Sequence, residues 1–524
     1  MSRRERPTIL VNARVITMDR ERPKASALAF SESGIICVGT EKQAMGQASP
    51  GSMVLDAAGR TVLPGFIDCH THFLSMGVWM NRLDLYGCRS QQEVLKKVAV
   101  RAGRMSPGKW VLGRGWDESM WKEARFIDKN DLDSASPRNP VMLIRVDGHM
   151  AAVNSSGLGR LEGKVGHKGV DAAAGHLKEA ALEKARHFLR PGPKELAVGM
   201  RTSLDIARRL GVTSVHDIID QDKLRAYKAA RGAGLLTVRA CLHFEKAAFW
   251  RVRQMSPHLR GDVRFLRHGG MKLYADGSFG ARTAAVRAPY TDTPSERGAL
   301  LMSDKEVRSI IRTAERRRFQ LLIHAIGDRA VTQVISAFSS VLGNESKVSS
   351  QGTSLRHRIE HLELVTKAEL ALMRGLGVIA SMQPNFVGEW GAPGQMMEAR
   401  LGKRYERADP FWRVLDAGVT MVFGSDCMPF SPIWGIHSAV NAAFPAQRIG
   451  VEDAIAAYTR TAAAASFEEG FKGVLAPKMA ADMVILSGDP FRNPSRIERI
   501  DVGATIFDGR LIWRRAGCVP GCRL

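Results

Sequence analysis

Pro64–Gly65–Phe66–Ile67–Asp68–Cys69–His70–Thr71–His72 is the stretch from which the rest of the chain can be read. Apolar residues surround a Pro-Gly break and lead into two histidines at i and i+2. Side chains on a β-strand alternate faces, so His70 and His72 share one face and Cys69 takes the other. Two imidazoles on one face at a strand end begin a divalent metal site. The pair alone is equally compatible with two surface or hydrogen-bonded histidines, because the chain holds 14 of them. The metal reading gains its weight from the ends of later strands.

Downstream, apolar runs alternate with helical patterns at 212–216, 236–242, 270–276, 320–324, 357–361, 378–383 and 419–426. With the strand before His70 these make eight βα units. That is the count of a TIM (β/α)8 barrel, whose sites lie at the C-terminal ends of the strands. Residues 78–205 or so interrupt the alternation and are too long for a loop, so they read as a subdomain inserted after the first barrel strand. Short strands separated by Asn, Asp, Gly and Pro fill residues 8–62, and the last fifty residues end in a hairpin around Asp508–Gly509. The expected fold is α/β: a barrel over 63–474, and a small composite β-sandwich domain from 1–62 plus 475–524.

The chain has 524 residues, 45% hydrophobic and 25% charged, which supplies a large core. No apolar run reaches the roughly 18 residues of a membrane span, and the N-terminal apolar stretch is too short for a signal sequence. A cytoplasmic protein is expected, with no membrane partner. Seven scattered cysteines argue against a disulfide framework, and Cys518 and Cys522 read as free thiols in a loose tail. The net charge of +23 is diffuse. Its densest run, Arg316–Arg318, belongs to a helical pattern over 307–319 and reads as a solvated face. Specific nucleic-acid binding is not expected, since no aromatic-interleaved basic patch occurs. A small-molecule substrate is the expected partner, and homo-oligomerisation is open.

The strand ends carry the chemistry. The first ends in His70 and His72, the fifth in His324, the sixth in His361 and the eighth in Asp426, all metal-ligand types. The fourth carries Lys272 between Met271 and Leu273. A buried lysine tends to lose its proton, and a neutral amine reacts with carbon dioxide to give a carbamate that can bridge metals. Singly, each histidine would be a core residue and Asp426 a turn residue; five coincidences at the right strand ends favour a metal site.

The pattern resembles the amidohydrolase superfamily, and within it the family-3 amidohydrolases that include N-substituted formamide deformylases. The resemblance rests on Pro64–His72, Gly115–Trp116–Asp117, Asp147–Gly148–His149 with Asn154–Ser155, Lys272–Thr283, His324–Ala330, Arg358–His361, Gly424–Ser425–Asp426 and Gly473–Leu486. Ala480 stands where a glycine is usual, a difference confined to a turn. The resemblance implies one or two divalent ions, with zinc expected. It places His70 and His72 on one ion, His324 and His361 on the other, Lys272 as a carbamylated bridge, and Asp426 as ligand and proton shuttle. The implied reaction is hydrolysis of a non-peptide carbon–nitrogen bond of amide, N-acyl or N-formyl type by a metal-activated hydroxide. Cyclic-imide, lactone or deaminating hydrolysis, or a catalytically silent binding barrel, are the alternatives. Candidate substrate contacts are His149, Trp116, Asp117, Asp276, Arg282 and Asp328. For these the alternatives are core packing for the tryptophan, a structural role for His149, and loop salt bridges for Asp276, Arg282 and Asp328. His216 and His243 also lie near strand ends but are left out of the ligand set.

Overall fold

The computed structural model describes residues 6–118, 121–122, 125–146, 148, 150–255, 264–343, 355–516 and 521–523. Eight strands form one sheet in chain order: β1 (Phe66–Thr71), β2 (Val212–Ile219), β3 (Arg239–Glu245), β4 (Leu266–Tyr274), β5 (Leu321–Ala325), β6 (Arg358–His361), β7 (Ile379–Met382) and β8 (Met421–Phe423). Every neighbouring pair from β1–β2 to β7–β8 is parallel. Helices follow the strands, among them Gln221–Gly232, Asp304–Arg317, Asp328–Leu342 and Lys367–Leu376. The seam between β8 and β1 carries no ladder, but the Asp426 N–H donates to the His70 carbonyl at 2.8 Å. Asp68 Oδ1 accepts the Ser425 N–H at 2.9 Å. Only glycine fits at 424, where a Cβ would lie 2.4 Å from the His70 nitrogen. The sheet is a nearly closed TIM barrel.

The two faces of this barrel differ in kind. Outward-facing Ile67, Cys69, Ile379 and Val422 pack on Ala462, Ala463 and Ala465, as strands covered by helices must. The lumen is not the usual stack of branched aliphatics. Arg358 on β6 reaches His216 on β2, the Cys69 carbonyl on β1 and Ser381 on β7, contacts that span the interior. His216, Lys272, Arg358, Glu360 and Ser381 are each at most 1% exposed, so the barrel is built around a hydrogen-bonded polar core.

Both chain ends contribute to two further sheets. One orders Gly521–Arg523, Met53–Asp56, Thr8–Val11, Ala27–Ser31 and Gly34–Gly39. The other orders Arg510–Arg514, Val502–Phe507, Met483–Leu486, Thr61–Pro64, Arg14–Ile16 and Lys24–Ala25. Leu10, Phe30 and Leu55 of the first share one buried cluster with Val62, Met483, Ile485 and Ile506 of the second. Cys522 is therefore not in a loose tail: its residue pairs with Val54. Cys518 lies outside the described residues.

Arg239 ties β3 to these sheets. Its guanidinium donates to both oxygens of Asp482 at 2.7 and 3.0 Å and to Asp508 Oδ1 at 2.8 Å. Arg239 and Asp482 are 1% and 5% exposed, so removing the cation strands a buried carboxylate. Arg239→Met should cost about 3–5 kcal/mol in equilibrium urea unfolding. A loss within ~0.5 kcal/mol would show that the ion pair is idle.

Residues Leu74–Ser203 form a second compact unit. Its six-stranded sheet runs Val170–Asp171, His176–Lys178, Met150–Val153, Val141–Arg145, Val111–Trp116 and Leu83–Asp84. One apolar cluster holds Val98, Trp116, Trp121 and Leu143, and another holds Met142, Ile144, Leu177 and Leu182. Leu143 and its neighbours Met142 and Ile144 alternate between the two, so both faces of this sheet are buried. Among the described residues no helix is long and apolar enough to cross a membrane.

Candidate metal centre

The C-terminal ends of the barrel strands bring three ligand types together. One ligand atom from each of His70, His361 and Asp426 falls within 4.8 Å of the others. His70 Nε2 lies 3.8 Å and His72 Nε2 3.4 Å from Asp426 Oδ1. The His70 and His72 rings are 6.2 Å apart, and the His70 and His361 rings 5.0 Å. The His324 ring is 4.4 Å from His361, but its Nε2 hydrogen-bonds the Gly277 carbonyl at 2.9 Å. Of these ring pairs His324–His361, which the sequence assigned to one ion, is the closest, and His361 also approaches His70 and Asp426.

Backbone strain marks the centre. His361 has φ +72° and Asp426 φ +50°, left-handed conformations unusual for such residues. Each costs on the order of 1–3 kcal/mol and is held by its surroundings. At β6 the effect is direct. Strict alternation would send Glu360 and His361 to opposite faces, yet Glu360 meets His70 Nδ1 at 2.5 Å while the His361 ring also approaches His70.

The residues fit a divalent cation. His361 Nδ1 and Asp426 Oδ1 are buried without a hydrogen-bond partner, a costly state unless something else completes them. Burial holds His361 well below the ordinary histidine range and His324 down to about 3. Neutral imidazoles are the form that binds metal. Lys272 is 1% exposed, its Nζ has no hydrogen-bond partner, and burial brings its pKa down to about 8.

The remaining candidates have other partners. Trp116 is fully buried in the inserted unit, donates from Nε1 to the Leu143 carbonyl at 2.9 Å and stacks on Trp121. It is core, with no face left for a substrate. Asp117 lies 3.6 Å from the Arg145 guanidinium and is partly exposed. Asp276 accepts three backbone N–H groups, from Ala285 at 2.9 Å, Ile326 at 3.0 Å and Gly327 at 2.8 Å. It fastens the loops after β4 and β5, a task its buried carboxyl performs although burial pushes its pKa up to about 6. Arg282 pairs with Asp292 at 2.9 Å, and Asp328 opens a helix and accepts the Arg287 N–H at 2.8 Å. Each of these side chains thus has a salt-bridge, backbone or packing partner in the structure. His149 lies outside the described residues.

Glu360 and Asp68 are the site residues that sequence reasoning passed over. Asp68 Oδ1 accepts from the His70 N–H at 3.2 Å and from Ser425 across the barrel seam. The available signal was position: Asp68 and His70 share strand parity. For Glu360, alternation pointed the wrong way.

Known proteins resemble this chain over nearly its whole length. A metal-dependent hydrolase from Pyrococcus furiosus superposes with a TM-score of 0.78 at 27% identity, covering 93% of this chain and 100% of that one. Protein LONG AFTER FAR-RED 3 of Arabidopsis thaliana is 28% identical over 96% of this chain and 91% of its own length. N-substituted formamide deformylase of Arthrobacter pascens is 26% identical over 98% of this chain and 99% of its own. Residues 53–513 match the amidohydrolase family, so the chain belongs to that family and is a hydrolase.

Proposed function

We propose that the chain hydrolyses a non-peptide carbon–nitrogen bond, of amide, N-acyl or N-formyl type, using a divalent metal held by His70, His72, Lys272, His324, His361 and Asp426. The observation that carries the metal reading is the convergence of His70, His361 and Asp426 at the strand ends, with His361 Nδ1 and Asp426 Oδ1 buried without a hydrogen-bond partner. The likeness to N-substituted formamide deformylase over nearly the whole chain supports the bond type. Zinc suits imidazole and carboxylate ligands. A bound divalent ion supplies Lewis acidity that makes water a nucleophile near neutral pH and polarises the scissile carbonyl. Asp426 takes the proton of the attacking water on its carboxylate and returns it to the departing nitrogen. His361, which burial holds well below the ordinary histidine range, holds position without competing for that proton. Lys272, low in proton affinity for a lysine, is the residue for carbamylation. The two terminal sheets, sharing one apolar cluster, act as a β-sandwich domain, and the protein works in the cytoplasm on a small molecule.

Removing metal with a chelator should abolish hydrolysis of simple N-acyl and N-formyl amines, and zinc, cobalt or manganese should restore it at one to two equivalents. Full activity in demetallated protein would refute the metal reading. Restored activity on esters or lactones but not amides would move the bond assignment to the alternative.

A further inference from the structure

The buried pair Arg358–Glu360 lies beside the metal centre and takes no part in the chemistry above. Arg358 Nε donates to Glu360 Oε1 at 2.8 Å, and its terminal nitrogen donates to Oε2 at 3.1 Å. Ser381 Oγ donates to Oε2 at 2.8 Å. Arg358 is itself fixed by the Cys69 carbonyl at 2.6 Å, by Ser381 Oγ at 2.8 Å and by His216 Nδ1 at 2.9 Å. Both side chains are fully buried. Against this, Glu360 Oε2 has one more neighbour, His70 Nδ1 at 2.5 Å.

We propose that Arg358 and Glu360 form a positioning relay that fixes the tautomer and ring plane of His70. Glu360 has only acceptor oxygens when ionised. Facing it, His70 must carry its ring proton on Nδ1, which leaves the Nε2 lone pair toward Asp426 and the ligand cluster. Arg358 holds the carboxylate in plane through the paired guanidinium contact. The same carboxylate raises the electron-donating power of His70 as a ligand. His361 shows the contrast, since its Nδ1 has no such partner. Of the two clustered histidines, His70 is the one set in advance, so it should nucleate ion capture. This inference rests on the metal reading above.

The test is metal affinity measured by chelator competition, together with the absorption spectrum of the cobalt-substituted protein. The double variant Arg358→Met/Glu360→Leu removes the relay without stranding a buried charge, a kind of replacement that cores tolerate. It should fold with a lowered metal-free melting temperature, because the Cys69 carbonyl, Ser381 and His216 lose a buried partner, and bind zinc about 10–100-fold more weakly. Its cobalt spectrum should change. Glu360→Asp, which keeps the charge but shortens the reach to His70, should also weaken zinc binding. It serves as the readout if the double variant does not fold. Wild-type zinc affinity and an unchanged cobalt spectrum in either folded variant would overturn the relay. Absence of zinc binding in the wild-type protein would instead overturn the metal reading itself, and the relay with it.

Discussion

Asp426→Asn is expected to keep most of its metal while kcat falls by on the order of 10²-fold or more. The reason is local. Asp426 Oδ1 is buried without a hydrogen-bond partner and lies 3.4 Å from His72 Nε2 and 3.8 Å from His70 Nε2. Asparagine preserves the shape and one oxygen ligand but accepts no proton at neutral pH. It also tolerates the left-handed backbone, φ +50°, that Asp426 adopts. The substitution therefore separates ligand from base with little strain. Metal content and kcat measured on the same preparation decide the matter. Parallel loss of both would make Asp426 chiefly a ligand. Retention of both would give the proton transfer to another group.

Lys272→Met should trade function for stability. The ordinary lysine value of 10.5 falls to about 8, chiefly through burial, with Glu360 and Asp426 opposing the fall. That difference corresponds to about 3 kcal/mol against the charged form. For a lysine depressed on folding, the penalty is fully present below pH 8. It fades as pH rises from 8 toward 10.5, because the unfolded chain then loses the proton too. Methionine fills a similar volume without a charge. Metal-free Lys272→Met should be about 2–3 kcal/mol more stable than metal-free wild type at pH 7 in urea unfolding. The gain should nearly vanish at pH 10.5. The same variant should lose bound metal and hydrolytic activity, and short carboxylates added with metal should restore part of both. If metal and rate survive, Lys272 is not a ligand. If the pH 7 gain is absent, Lys272 is already neutralised by another group in the folded metal-free protein.

The barrel was legible in the chain because its signal is local and repeated. Each of the seven runs from Val212 to Phe423 is apolar, of strand length and followed by a helical pattern, and each became a strand within a few residues of its expected bounds, as did the run before His70. The candidate ligands' positions were legible for the same reason, since a histidine or aspartate just past such a run must sit at the barrel's C-terminal end. How those residues meet was not. Pairing His70 with His361 requires β1 and β6 to face each other across a lumen, and bringing Glu360 and His361 into one site requires a left-handed residue at the end of β6. Asp276 read from the sequence equally as a substrate contact or a loop residue; its three backbone donors, from positions up to 51 residues away, are visible only in the fold. Sequence by itself determined the residue types and the strand order, because hydrophobic periodicity depends on near neighbours. Only the tertiary structure decided which side chains are free for chemistry and which are spent holding loops, because hydrogen-bond partners are chosen across the fold, where spacing along the chain carries no information.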